Sequence, residues 1–157
     1  MAQAAVSSTV VYRDPMAALD WLAKAFGFEV SLLLTDAEGN VAHAEMSYLS
    51  CGIGVACEWA APQLGGARMR SPVTLDGQCS QFIGIALVRG LDAHCETARA
   101  AGARITEEPA DQFYGARSYR AMDPEGHVWT FRQELRKVST AELEAASGLT
   151  YKVGGDA

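Results

Sequence analysis

One order of apolar periods occurs twice along this chain, and that repetition limits the fold more than any other feature. Val6 to Tyr12 alternates apolar and polar residues with period two, which predicts a strand. Asp14 can then cap a helix whose first residue is Pro15, where the missing N–H costs nothing. Ala18, Leu22, Ala25 and Phe26 recur at helical spacing, and Gly27 is placed to stop the helix. Three further strands are predicted over Glu29–Thr35, Val41–Tyr48 and Ile53–Trp59, with turns at Asp36–Asn40 and Ser50–Gly52. The second half reads alike. Phe82–Val88 is strand-like, and Leu91, Cys95, Ala98 and Ala101 form a helical stripe ended by Gly102. Strands over Ala103–Glu107, Arg117–Met122 and His127–Gln133 follow, the last two joined by the Asp123-Pro124-Glu125-Gly126 turn. Gly27 and Gly102 stand 75 residues apart, and Gly52 and Gly126 stand 74 apart, so the halves overlay with one residue of slip.

The pattern predicts an α+β fold of two βαβββ modules, a cupped mixed sheet with helices on its outer face. Residues 1–62 form the first module, 63–80 a linker with two glycines side by side, and 81–134 the second module. Residues 135–157 form a tail in which Ser139 and Glu142 make a capping box for a short helix. Gly154 to Ala157 is expected to be loosely ordered.

A net charge of -6 opposes a nucleic-acid partner, which needs clustered Lys and Arg. Nowhere do about 18 apolar residues run together, so no membrane span is expected. The N-terminus has no basic leader before an apolar run, and the four cysteines show no C-x-x-C pair. Both features point to a cytoplasmic protein with reduced thiols.

Strand parity sorts the side chains by face. If Ala44, Met46, Ile53, Val55, Ile83, Ile85, Leu87, Trp129 and Phe131 pack on the helices, the cup is lined by the alternate residues. These are His43, Glu45 and Ser47, Gly54, Ala56 and Glu58, Phe82, Gly84 and Ala86, Ser118, Arg120 and Met122, and Val128, Thr130 and Arg132. Small residues leave volume there, and the few polar groups are of the kind that orients a small ligand. Glu45 with His43 suits proton transfer if Glu45 is buried, whereas Glu45 with Arg120 equally suits a plain ion pair. Tyr114 and Arg117 lie at a loop leading into a cup strand. His127 reads as structural or surface-placed, and His94 as half-buried or solvated.

Paired βαβββ modules with the Asp123–Gly126 turn resemble the vicinal-oxygen-chelate superfamily, which includes glyoxalase I, extradiol dioxygenases and bleomycin-binding proteins. The stretches Asp111–Arg117, Asp123–Trp129 and Val41–Glu45 resemble its PhnB-like branch. The resemblance implies the glyoxalase/bleomycin-resistance fold, and homodimers are frequent in that superfamily. It also implies metal ligands at Ser7, at Ala56 or Glu58, at Gly84 and at Thr130. Only Glu58 among these is an ordinary ligand, so no metal and no cofactor is expected.

Two functions fit these residues. One is a binding protein that holds a small polar or aromatic molecule in a metal-free cup through His43, Glu45, Glu58, Tyr114, Arg117, Arg120 and Thr130. The other is a divalent-metal-dependent lyase, isomerase or dioxygenase with rearranged ligands such as His43, Glu45 and Glu58. A non-catalytic interaction protein is a third possibility. The sequence assigns no catalytic residue.

Overall fold

The computed structural model describes residues 6–58 and 66–152. The first module is β1 (Thr9–Tyr12), α1 (Pro15–Phe26), β2 (Glu29–Thr35), β3 (Val41–Tyr48) and β4 (Cys51–Cys57). The second is β5 (Phe82–Leu87), α2 (Leu91–Ala100), β6 (Arg104–Asp111), β7 (Ala116–Met122) and β8 (Val128–Glu134), followed by α3 (Thr140–Ser147). The sheets run β1-β4-β3-β2 and β5-β8-β7-β6, with one parallel pair in each, β1 with β4 and β5 with β8. Identical strand order in the two halves agrees with the duplication.

The helix ends form as their sequences dictate. The Asp14 carboxylate accepts from the Ala17 N–H at 3.0 Å, and Gly27 closes α1 in the left-handed region. Ser139 and Glu142 complete the capping box of α3.

Several strand ends move by one or two residues, and three differences from expectation matter most. β1 starts at Thr9, not Val6. The turn between β3 and β4 is Leu49-Ser50, one residue earlier than Ser50–Gly52, because Tyr48 already pairs with Cys51 and Leu49 takes a positive φ of 54°. β6 continues past Glu107 to Asp111; the register shifts between Glu107 and Ala110, which accommodates Pro109 in an edge strand. Trp59 and Gly154–Ala157 lie outside the described residues.

Both modules share one hydrophobic core. Leu19, Leu22, Ala25 and Phe26 of α1 join Leu91, Cys95 and Ala98 of α2, with Ala44, Met46 and Val55 from the first sheet and Tyr119, Ala121, Trp129 and Phe131 from the second. The Phe26 ring lies 5.1 Å from Trp129 and 4.8 Å from Phe131, and Phe28 lies 5.8 Å from Trp129. The helix-facing sides of both sheets thus line one core, and the residues of alternate parity make the open faces.

His94 sits at this seam. Its Nε2 donates to the Phe26 carbonyl at 3.1 Å, and in the neutral ring Nδ1 accepts from the Tyr119 hydroxyl at 2.6 Å. Burial holds its pKa below the ordinary 6.5, against the favourable Phe26 carbonyl. The unfolded chain takes up a proton that the folded chain resists, so this contribution to stability is full above about pH 6.5 and is lost as pH falls through the lower folded value. Urea titrations between pH 7.5 and 5.5 should show stability falling on acidification with a slope of up to about 1.4 kcal/mol per pH unit. His94→Gln should flatten that slope; an equal slope in the variant would remove His94 as its source.

Candidate functional site

The open faces present two matching rows. Across the first sheet, Thr9, Gly54, Glu45 and Leu32 are register neighbours. Across the second, Gly84, Thr130, Arg120 and Glu107 stand in the corresponding line. Each row places a small residue beside a polar one and ends at an edge strand. The parity read from the sequence holds in β3, β5 and β8: Ala44, Met46, Trp129 and Phe131 are fully buried, while Glu45, Gly84, Ala86 and Arg132 are exposed. In β4 and β7 it holds for the core side alone: Val55, Tyr119 and Ala121 are buried, but so are Gly54, Ala56 and Ser118, which were expected to line the cup.

Among the described residues no hydrogen bond or ion pair joins the cup side chains of one sheet to those of the other. His43 and Glu45 face each other at 3.4 Å on the first sheet, and both are exposed. Glu45 is therefore not the buried carboxylate that a poised general base would need. Its expected pairing with Arg120 is also absent, since Arg120 lies on the other sheet, pairs with Glu107 and donates to the Thr130 hydroxyl at 3.3 Å. Arg117 has the parity of Tyr119 and points to the helix side, where Asp92 of α2 and Asp111 hold it at 2.8 and 2.7 Å. Tyr114 stacks edge-to-face on Phe113 at 5.3 Å in the exposed turn before β7.

Glu58 is engaged by the linker. It accepts from the Ser71 N–H at 2.8 Å, from Arg70 at 3.2 Å and from the Thr74 hydroxyl. Burial opposes the charge, but these donors outweigh it and keep the carboxyl below its usual range. The Pro72–Thr74 segment forms a single 3₁₀ turn there. With Glu58 occupied in this way, and with Ser7, Gly84 and Thr130 at the other expected positions, the donor set does not fit a divalent ion. Among the described residues no three His, Cys, Asp or Glu side chains converge as metal ligands.

The Asp123–His127 turn has a role that the sequence did not disclose. Buried Asp123 accepts from the Tyr12 hydroxyl at 2.7 Å and the Trp129 indole at 3.1 Å. It also accepts from the backbone N–H groups of Glu125 and His127 at 3.0 and 2.9 Å, and the His127 ring lies 3.0 Å away. Burial works against the ionised carboxyl, yet the bonds from His127, Tyr12 and Trp129 prevail and lower its pKa. The Tyr12 hydroxyl is pushed in the other direction, well above its ordinary value, by burial and by that neighbouring charge. His127 Nε2 donates to the Val11 carbonyl at 2.9 Å, and Glu125 accepts the backbone N–H groups of Arg13 and Asp14 at 2.7 and 2.9 Å. A turn of the second module thus clamps the end of β1 and the start of α1.

Residues 4–131 match the family model described as the Glyoxalase/Bleomycin resistance protein/Dioxygenase superfamily. The chain belongs to this superfamily. An uncharacterised protein of Mycobacterium bovis is 31% identical over 143 residues, covering 90% of this chain and 91% of its own length. Among solved structures, TioX from Micromonospora sp. ML1 is 27% identical with a TM-score of 0.66, covering 85% of this chain and all of that one. The genomically encoded fosfomycin resistance protein FosX from Listeria monocytogenes is 16% identical with a TM-score of 0.58, covering 90% of this chain and 98% of that one, a likeness of fold alone. Within the superfamily's architecture, Gly84 and Thr130 fall side by side on paired strands, where this chain offers no carboxylate or imidazole.

Proposed function

We propose that the protein binds a small polar or aromatic molecule without a resident metal, in a cup that two copies complete between them. The observation that carries this reading is the state of the open faces. They hold the polar groups of His43, Glu45, Arg120 and Thr130 among exposed apolar groups such as Leu32, Leu34 and Phe82, yet each of these polar side chains finds its partner within its own sheet. Joining the first sheet of one copy to the second sheet of another would bring the two polar rows together. Such a homodimer is self-complementary and closes by a twofold axis. Glu58, held by Arg70, Ser71 and Thr74, serves on this reading to seat the linker, not to ligate a metal. Within the superfamily we place the chain on the PhnB-like side, on the stretches Asp111–Arg117 and Asp123–Trp129.

The test is metal analysis by inductively coupled plasma mass spectrometry on protein purified without chelator, with light scattering on the same sample. A dimer carrying no stoichiometric zinc, nickel, manganese or iron is expected. Near-stoichiometric metal would move the function to a metal-dependent enzyme with rearranged ligands, and a monomer at micromolar concentration would remove the shared cup.

A further inference from the structure

We propose that the cavity at the end of β5 and β8 is an anion site, which takes the carboxylate or phosphate of a small ligand whose apolar body lies against Tyr114 and Val88. The assignment rests on the small-molecule reading above and adds the ligand's charge and its anchoring point. The cavity has a volume of about 680 Å³ and opens beside Ala86, Val88, Tyr114, Arg132, Arg136 and Lys137. That volume falls in the range of small-molecule sites. Ala86 is the register neighbour of Arg132, so a methyl group stands beside the guanidinium and leaves room for a ligand.

One wall is held firmly in place. After β8 the chain folds over Gly115, whose carbonyl accepts from the Leu135 and Arg136 N–H groups at 2.9 and 3.1 Å. Gly115 has a φ of +81°, and a Cβ there would run into the Arg136 carbonyl and the Val138 side chain. Only glycine allows this docking, and the docking holds the backbone that carries Arg136 and Lys137 against the cavity.

The local charge runs against that of the whole chain. The protein carries a net -6, yet this cavity collects three cations against one carboxylate, Glu134. Arg136 is shared with Glu142 at 3.1 Å, whereas Arg132 and Lys137 have no carboxylate partner among the described residues. A positive recess on an acidic protein draws anions selectively, and guanidinium groups bind carboxylate and phosphate in bidentate fashion. Arg132, Arg136 and Lys137 all lie beyond residue 131, where the superfamily match ends.

The test is a ¹⁵N NMR titration of the full chain with benzoate, phenyl phosphate and the uncharged benzamide. Benzoate or phenyl phosphate should shift the amides of Ala86–Val88, Gly115 and Arg132–Val138, and whichever binds more tightly distinguishes a carboxylate ligand from a phosphate. Benzamide should bind at least tenfold more weakly. Arg132→Gln, a change at an exposed side chain, should raise the anion's Kd about tenfold, and so should added salt in the wild type. Equal shifts from benzamide and benzoate, or an unchanged Kd in Arg132→Gln, would overturn the anion site. Shifts confined to the rows around Glu45 and Thr130 would overturn it too, while leaving the small-molecule reading intact. No shift from any of the three compounds would overturn the anion site, and a broader screen of neutral aromatics would then decide the wider reading on its own.

Discussion

Asp123→Ala is expected to lower the unfolding free energy by about 3–5 kcal/mol. The carboxylate is buried at the junction of the two modules and accepts from the Tyr12 hydroxyl, the Trp129 indole and two backbone N–H groups. Its removal leaves those donors unsatisfied and takes away the hydrogen-bond partner of the His127 Nδ1. Tyr12→Phe removes one bond and should cost about 1–2 kcal/mol. In the double variant the Tyr12 change should cost almost nothing further, because its partner is already gone. Urea denaturation followed by far-ultraviolet circular dichroism measures all three. A loss below about 1 kcal/mol for Asp123→Ala would mean that the turn is a loop ornament and that the modules hold together by packing alone.

Phe26→Ala should cost about as much, roughly 3–5 kcal/mol, for a different reason. Phe26 is fully buried at the end of α1 and touches aromatic rings from both halves: Trp21 at 4.9 Å, Trp129 at 5.1 Å and Phe131 at 4.8 Å. Truncation removes the burial of a large ring and opens a cavity that rigid aromatic neighbours cannot close. Because the ring spans the seam, the variant should still melt in one cooperative step, at lower temperature. Two separated transitions would show that the modules are independent units and that the shared core is not cooperative.

Within each module the sequence was highly legible. Strand parity depends only on alternation, so the inward placing of Met46, Val55, Trp129 and Phe131 and the outward placing of Glu45 and Arg132 could be read directly. Helix ends were equally local: Asp14, Pro15 and Gly27 each act within one turn of themselves. The arrangement of one module against the other was not legible, because no short pattern records it. A shared cup therefore put Glu45 beside Arg120, whereas the chain places them on separate sheets. Arg117 was grouped with the cup through its loop, although the alternation that puts Ser118 and Arg120 on the cup gives Arg117 the helix face, where Asp92 of α2 pairs with it. The roles of Asp123 and Glu125 were hidden likewise: their partners Tyr12, Arg13 and Asp14 lie more than 100 residues away. A common turn motif gave no sign of what it would hold.

The bond from His127 to the Val11 carbonyl has a consequence for how the protein is made. β1 is an edge strand, and Val11 is protected by a side chain that the ribosome supplies more than a hundred residues later. At roughly 5–20 residues per second, the first module spends several seconds or more with that edge exposed. An unguarded strand edge is a template for pairing with other chains. The vulnerable form of this protein is thus its own unfinished N-terminal half, and its last β-turn acts as the closing latch of synthesis.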